Sequence, residues 1–382
     1  GHGRPEIASA IARQAKKLDY APPFQFGHPD AFELAGRVRE VTPEGLDHVF
    51  FTNSGSESAD TSLKMARAYW RLKGRPEKSR FIGRVKGYHG VNIGGTSVGG
   101  IGPNRKHFGS LLEADHLSAT LLPENRYSRG IPEHGVHLAD QLEELIALHD
   151  ASNIAAVIVE PMSGSAGVIV PPHGYLPRLR ELCDRHDILL IFDEVLSGFG
   201  RTGADFGATL FGVRPDIMNL AKNLTNGTVP MGAVVASSEI HDTFMASDTP
   251  DYLPEFAHGY TYSGHPLACA AGLAAMDIFV GERMAERAAA MAPYFEEQVH
   301  ALAGLPNVVD IRNLGMAAAI QLAPDPAEPA RRPFEIGRRC WEKGAYVRFA
   351  ADTIQLGPPF IIERDQIDQL CSILEDVIRE TA

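Results

Sequence analysis

ILLIFDEVLSGFGRTG, residues 188–203, opens with five apolar residues and runs directly into an acid. A run of that length is strand-sized. No polar residue alternates along it, so both of its faces must be covered, which is how a strand buried in a parallel sheet reads. Asp193 then lies at the strand's carboxyl mouth, the side of an open α/β sheet where ligands bind. A carboxylate there is costly unless it is paired, because burial penalises the charged form. A helix N-cap role or a salt bridge with Arg201 would satisfy it, and so would a protonated heterocyclic nitrogen.

Outward from this strand, residues 47–236 alternate short β-branched runs with amphipathic stretches, the pattern of βαβ units. The expected strands are His48–Thr52, Phe81–Val85, Ile154–Glu160, Ile188–Phe192, Ile217–Leu220 and Ala233–Ala236. Ser56–Lys73 and Tyr175–His186 place apolar residues at helical spacing, with Leu176, Leu179 and Cys183 on one face and Gly74 as a C-cap. The fold class is therefore α/β, a mostly parallel central sheet covered by helices. After the loop around Ser263–Pro266 the text changes to Ala/Glu/Arg helices, short strands in 308–322 and 346–356, and a last helix from Glu363. That reads as a smaller α+β domain, giving an N-terminal segment 1–23, a large domain 24–270 and a small domain 271–382.

Composition narrows the function. The 382 residues carry a formal net charge of −12 with the basic residues scattered, which excludes the clustered Lys/Arg footprint of nucleic-acid binding. The longest uncharged apolar runs fall far short of the roughly 20 residues that span a bilayer, so no membrane partner is expected. Four cysteines without CxxC spacing read as buried thiols in a reducing compartment, by default the cytoplasm. HExxH, GxSxG, P-loop and dinucleotide-binding patterns are missing, and the fifteen histidines show no metal-ligand spacing.

The remaining strand ends supply chemistry. In FFTNSGSES, residues 50–58, a strand enters a helix through Ser54, Gly55 and Ser56, where unpaired N–H groups and the helix dipole favour an anion such as phosphate. Ser54 and Glu57 equally make a capping box, and the two readings are compatible. GRVKGYHG, residues 83–90, puts Tyr88 and His89 after a strand, an aromatic ring that could stack on a planar cofactor or else anchor a loop. In PDIMNLAKNLTNG, residues 215–227, Lys222 ends an apolar run near the sheet mouth. Alone it reads as a solvated charge. With Asp193 on a neighbouring strand, it reads as an amine able to capture an aldehyde cofactor whose ring nitrogen the aspartate keeps protonated. Arg348 in YVRFAADTIQLGPP, residues 346–359, follows a small-domain strand and offers a planar fork for a carboxylate.

Read together, FTNSGSES, RVKGYHG, IVEPMSGSAG, LLIFDEVLSGFGRTG, NLAKNLTNG with VPMGAV, and GYTYSGHPLACAA closely resemble the class III aminotransferases of pyridoxal-phosphate (PLP) fold type I. Within them the likeness is to the ω-amino acid:pyruvate aminotransferases. The resemblance implies PLP as cofactor, with Lys222 as its Schiff-base lysine and Asp193 at its nitrogen. Ser54, Gly55 and Ser56 would hold the phosphate, while Tyr88 and Val195 would flank the ring and His89 and Glu160 would complete the cofactor site. Thr261 would reach the phosphate of a neighbouring subunit, implying a homodimer, or a tetramer, with shared active sites.

Phe24, Arg348 and Ser165 fall to the substrate pocket. Ser165 stands five residues after Glu160, where 2-oxoglutarate users carry a glutamate that pairs with the mobile arginine. This implies pyruvate as acceptor and an ω-amino acid or primary amine as donor. The other readings are a 2-oxoglutarate aminotransferase, an aminomutase or racemase, and a catalytically silent PLP-fold protein. Two departures stand out: Asn223 replaces the usual glycine after the lysine, and the chain begins Gly-His-Gly where relatives carry a longer leader that helps wall the pocket. The leader is expected to be missing here.

Overall fold

The computed structural model of the chain describes residues 1–381. Strands β1 (Leu46–Thr52), β2 (Arg80–Arg84), β3 (Ala114–Leu117), β4 (Ile154–Val159), β5 (Leu189–Asp193), β6 (Ile217–Leu220) and β7 (Gly232–Ser237) form one sheet in the order β1-β7-β6-β5-β4-β2-β3. Successive side chains of a strand point to opposite faces, and the central strands divide accordingly. Val157, Val159, Leu190 and Phe192 enter one core with Leu176, Leu179 and Cys183 of the helix Tyr175–Arg185. Ala156, Ile158, Leu189 and Ile191 enter the other with Leu63, Ala66 and Trp70 of the helix Gly55–Leu72. Both faces are therefore dry, which explains the uninterrupted apolar runs. Gly74 (φ +73°) ends the second helix in the left-handed region that glycine tolerates.

Two sheet features depart from the sequence reading. β7 runs antiparallel to both β6 and β1, because residues 221–231 between β6 and β7 hold only a short 3₁₀ turn and no crossover helix. β3, the edge strand beside β2, was not among the expected strands; its sequence Ala-Asp-His-Leu is short, half polar and half-buried for most of its length. Strand ends otherwise shift by one or two residues, so Asp193 is the last residue of β5 and Glu160 lies just beyond β4.

A second, smaller sheet is antiparallel throughout: β10 (Arg348–Ala350), β11 (Thr353–Leu356), β9 (Ala317–Leu322) and β8 (Val308–Leu314), in that spatial order. Arg348 therefore begins a strand instead of following one. Helices Met284–His300, Arg331–Glu342 and Arg364–Glu380 close its core around Phe295, Ile311, Ile320, Ile336 and Leu374. The preceding helix, Pro266–Gly281, still gives Ala268, Cys269 and Met276 to the large core. We take the division between the two bodies to fall between this helix and Met284.

At the amino ends of the strands, Lys78 ties three segments together. Its Nζ donates to the carbonyls of Ala151 (2.9 Å), Ile154 (3.0 Å) and Asp187 (2.6 Å) and lies 4.4 Å from the Trp70 ring centre. Burial pushes its pKa down from 10.5 to about 8. Between those values the unfolded chain holds a proton that the folded chain lacks, so this lysine's contribution to stability rises with pH across that window. Lys78→Met should cost about 3 kcal/mol by orphaning carbonyls. The stability gap to the unchanged chain should widen from pH 8 to pH 10, read by denaturant unfolding at each pH.

Candidate active site

The carboxyl ends of β1, β2, β4, β5 and β6 contribute to a single cavity. After β1, Ser54 caps the helix Gly55–Leu72, its Oγ accepting the Glu57 N–H at 3.2 Å, while Glu57 Oε2 accepts the Asn53 N–H at 2.7 Å. The capping role is thus realised; it uses a lone pair of the Ser54 hydroxyl and leaves its proton free to donate. The N–H groups of Gly55 and Ser56 belong to the first turn, which has no intrahelical acceptors, and both residues line the cavity. Ser56 Oγ accepts the Val91 N–H at 3.1 Å. Gly90 (φ +91°) is required beside it, since a Cβ would lie 2.6 Å from Ser56 Cα.

After β2 and β4, Tyr88 and Glu160 are joined: Glu160 Oε1 accepts the Tyr88 N–H at 2.9 Å, orienting that peptide at the cavity wall. At the end of β5, Asp193 is 5% exposed, and its Oδ2 lies 2.8 Å from His89 Nδ1 while Oδ1 accepts the Val195 N–H at 3.1 Å. His89 is thus the aspartate's partner. Arg201 is not, for it donates to the carbonyls of Met316 (2.7 Å) and Pro358 (2.8 Å). Burial pushes the Glu160 carboxyl above its ordinary range; His89 opposes this and the Asp193 charge adds to it.

Lys222 follows β6, which pairs with β5 so that Asp193 faces Asn219. Its backbone holds φ +49°, a left-handed conformation unusual for a non-glycine residue and the kind of strain that collects at functional sites. The residue is solvent-accessible through the cavities it lines, and the protein packed around its amine lowers its pKa below 10.5 by desolvation. Asp193 and Glu160 pull the other way, while Arg348 and Arg201 lower it further.

The cavity, about 150 Å³, gathers Gly55, Ser56, Tyr88, Glu160, Ser165, Asp193, Val195 and Lys222. It shares Val195, Leu196 and Lys222 with a wider cavity of about 620 Å³ bounded by Arg201, Arg348 and Gln355. Phe24 and Thr261 are not brought to either: both are exposed, and Phe24 packs near the Gly259 backbone of the loop that carries Thr261. Sequence reasoning missed Asn219, fully buried with neither side-chain atom hydrogen-bonded among the described residues, and also Gln355 in the cavity wall. The lone amide inside Ile-Met-Asn-Leu was the available signal. The described residues include one group of possible metal ligands, His48, His241 and Asp242, with the two imidazoles stacked at 3.6 Å on elements outside both cavities.

The model of the class III aminotransferase family matches residues 1–378. The chain belongs to that family. It is 58% identical to a β-alanine–pyruvate aminotransferase of Pseudomonas aeruginosa, covering all of this chain and 86% of that protein. It is 56% identical to an ω-amino acid–pyruvate aminotransferase of Pseudomonas putida, covering all of this chain and 85% of that one. Among solved structures, an amine transaminase from an uncultivated Pseudomonas species, in its PLP-bound form, superposes with a TM-score of 0.93 at 39% identity, over all of this chain and 88% of the other. The chain is accordingly an aminotransferase, and its mostly parallel sheet with a smaller antiparallel one is the architecture such enzymes share.

Because Asp193 raises the Lys222 pKa, Asp193→Asn should lower it further below 10.5. Competitive acetylation of the apo-protein across pH, read at the Lys222 peptide by mass spectrometry, should show the labelling midpoint below that of exposed lysines and lower still in the variant.

Proposed function

We propose that this chain is a PLP-dependent ω-aminotransferase that moves an amino group from an ω-amino acid or primary amine to pyruvate by a ping-pong mechanism. The observation that carries this reading is the convergence of Asp193, at the end of β5, and Lys222, just after the paired β6, upon one cavity that also receives a helix N-terminus. The residues present fit the cofactor. The anion-binding first turn with Gly55 and Ser56 suits a phosphate, the buried Asp193 suits a protonated ring nitrogen, and Tyr88 and Val195 offer surfaces for a planar ring. When bound, PLP supplies an aldehyde that captures amines and a ring that accepts an electron pair from the substrate carbon.

The protein's part follows from its own groups. Asp193, held by His89 and the Val195 N–H, keeps a proton on the ring nitrogen. Lys222 Nζ would hold the cofactor and, once free, would carry the proton away from the substrate carbon, for which a pKa lowered by desolvation suits it. Arg348, at the wall of the wider cavity, takes the carboxylate of the oxo acid. Ser165 in the smaller cavity leaves that guanidinium without an acidic partner there, consistent with the pyruvate acceptors named for the relatives above. A second copy of the chain would bring its exposed Thr261 to the phosphate, as in a homodimer with shared active sites. Four free, buried cysteines suit a reducing compartment such as the cytoplasm.

A donor panel run with pyruvate and with 2-oxoglutarate tests this reading. β-Alanine or a primary amine with pyruvate should turn over; equal use of 2-oxoglutarate would overturn the acceptor assignment. Lys222→Ala should lose at least about 10³-fold in turnover with every pair, and a fully active Lys222→Ala protein would defeat the mechanism.

A further inference from the structure

The segment Ser163–Ile169 after β4 is folded back on itself, with reciprocal backbone bonds between Ser163 and Ile169 at 2.9 and 3.0 Å. At its tip Gly167 has φ +104° and Val168 has φ +51°. A β-branched residue in the left-handed region is a genuine outlier that persists only when its surroundings hold it. Val168 nonetheless lies in the wall of the wider cavity, and Ser165 in the wall of the smaller one.

Buried side chains do the holding, two of them from the smaller body. Arg312 of β8, 6% exposed, donates from Nε to the Gly167 carbonyl at 3.1 Å. Its Nη1 is fixed by Asp310 and, at 2.7 Å, by Gln321 Oε1. Gln355 of β11 donates to the Ser165 carbonyl at 3.1 Å and pairs in register with Arg348. From the large body, Arg84 donates to Ser163 Oγ at 2.9 Å. There is no slack: a Cβ at Gly167 would meet Arg312 Nη2 and Thr353 Cγ2, each at 3.1 Å.

We propose that Arg312 is a specificity-positioning residue. Through the Gly167 carbonyl it locks the strained Val168 turn and Ser165 at a fixed place relative to Arg348, so that the space left at that guanidinium suits the carboxylate of a small oxo acid. Arg312 lines neither cavity. Its effect is selective because the carbonyls it and Gln355 hold belong to the wall facing Arg348, while the cofactor-side residues Asp193, His89 and Tyr88 are fixed by separate bonds. The inference rests on the functional reading above.

The experiment uses the PLP-loaded protein with one amine donor and two acceptors, pyruvate and a small aldehyde that lacks a carboxylate. Arg312→Met should raise the KM for pyruvate about tenfold, the worth of one lost hydrogen bond. Its kcat, and both constants for the aldehyde, should stay within about twofold, the split expected when uniform binding alone is lost. Gln321→Leu, which leaves the Arg312–Asp310 pair in place, should move the pyruvate KM in the same direction by less and keeps the test open if Arg312→Met fails to fold. Equal losses with both acceptors, or an unchanged pyruvate KM in both variants, would overturn the role of Arg312 while leaving the enzyme's assignment intact. Absence of pyruvate turnover in the unchanged chain would remove the functional reading, and this inference with it.

Discussion

A carboxyl group that is 5% exposed in a protein interior is costly unless its oxygens find partners, and Asp193 finds them in the His89 imidazole and the Val195 N–H. Each partner constrains a different part of the molecule. His89 is delivered by the turn after β2, and that turn is fixed in part by Glu160, the first residue beyond β4. The Val195 N–H opens the segment that ends at Arg201, whose guanidinium reaches over to carbonyls of the smaller body. One buried carboxyl group therefore draws β2, β4, β5 and both bodies into register around a single point.

Lys222 gains its meaning from the same geometry. It is one strand over from Asp193, held in a strained backbone conformation at the end of β6. Burial favours its neutral form and the two nearby carboxylates favour its charged form, so it is an amine poised between them. The strain at Lys222 and at Val168 marks the two places where the backbone departs from its preferred conformations at the cavity walls. The dry core beneath, filled from both faces of the sheet, is what can hold them there.

Much of this was legible in the residues alone because the physics was local. Five apolar residues ahead of Asp193 are the length and character of a buried strand, and Ser54 three residues before Glu57 has the spacing of a capping box. The α/β layering and the end of the sheet that carries the cavity follow from that pattern and from the rule that ligands gather at strand carboxyl ends. What escaped was non-local. The antiparallel course of β7 depends on the absence of a crossover helix, and β3 is too short and polar to announce itself. The pairing of Asp193 with His89 joins residues far apart in sequence, and Arg312 reads as an ordinary charge in a strand until its carbonyl partner is seen. Phe24 and Thr261, expected at the substrate pocket and at a phosphate, lie away from the cavities of their own chain.

The account stands on Lys222 being the amine that holds the cofactor opposite Asp193. Borohydride reduction of the PLP-loaded protein, followed by proteolysis and mass spectrometry, reads this directly. The account predicts the cofactor's mass on the peptide containing Lys222 and on no other lysine. Cofactor mass on a different lysine, with the Lys222 peptide unmodified, would contradict it.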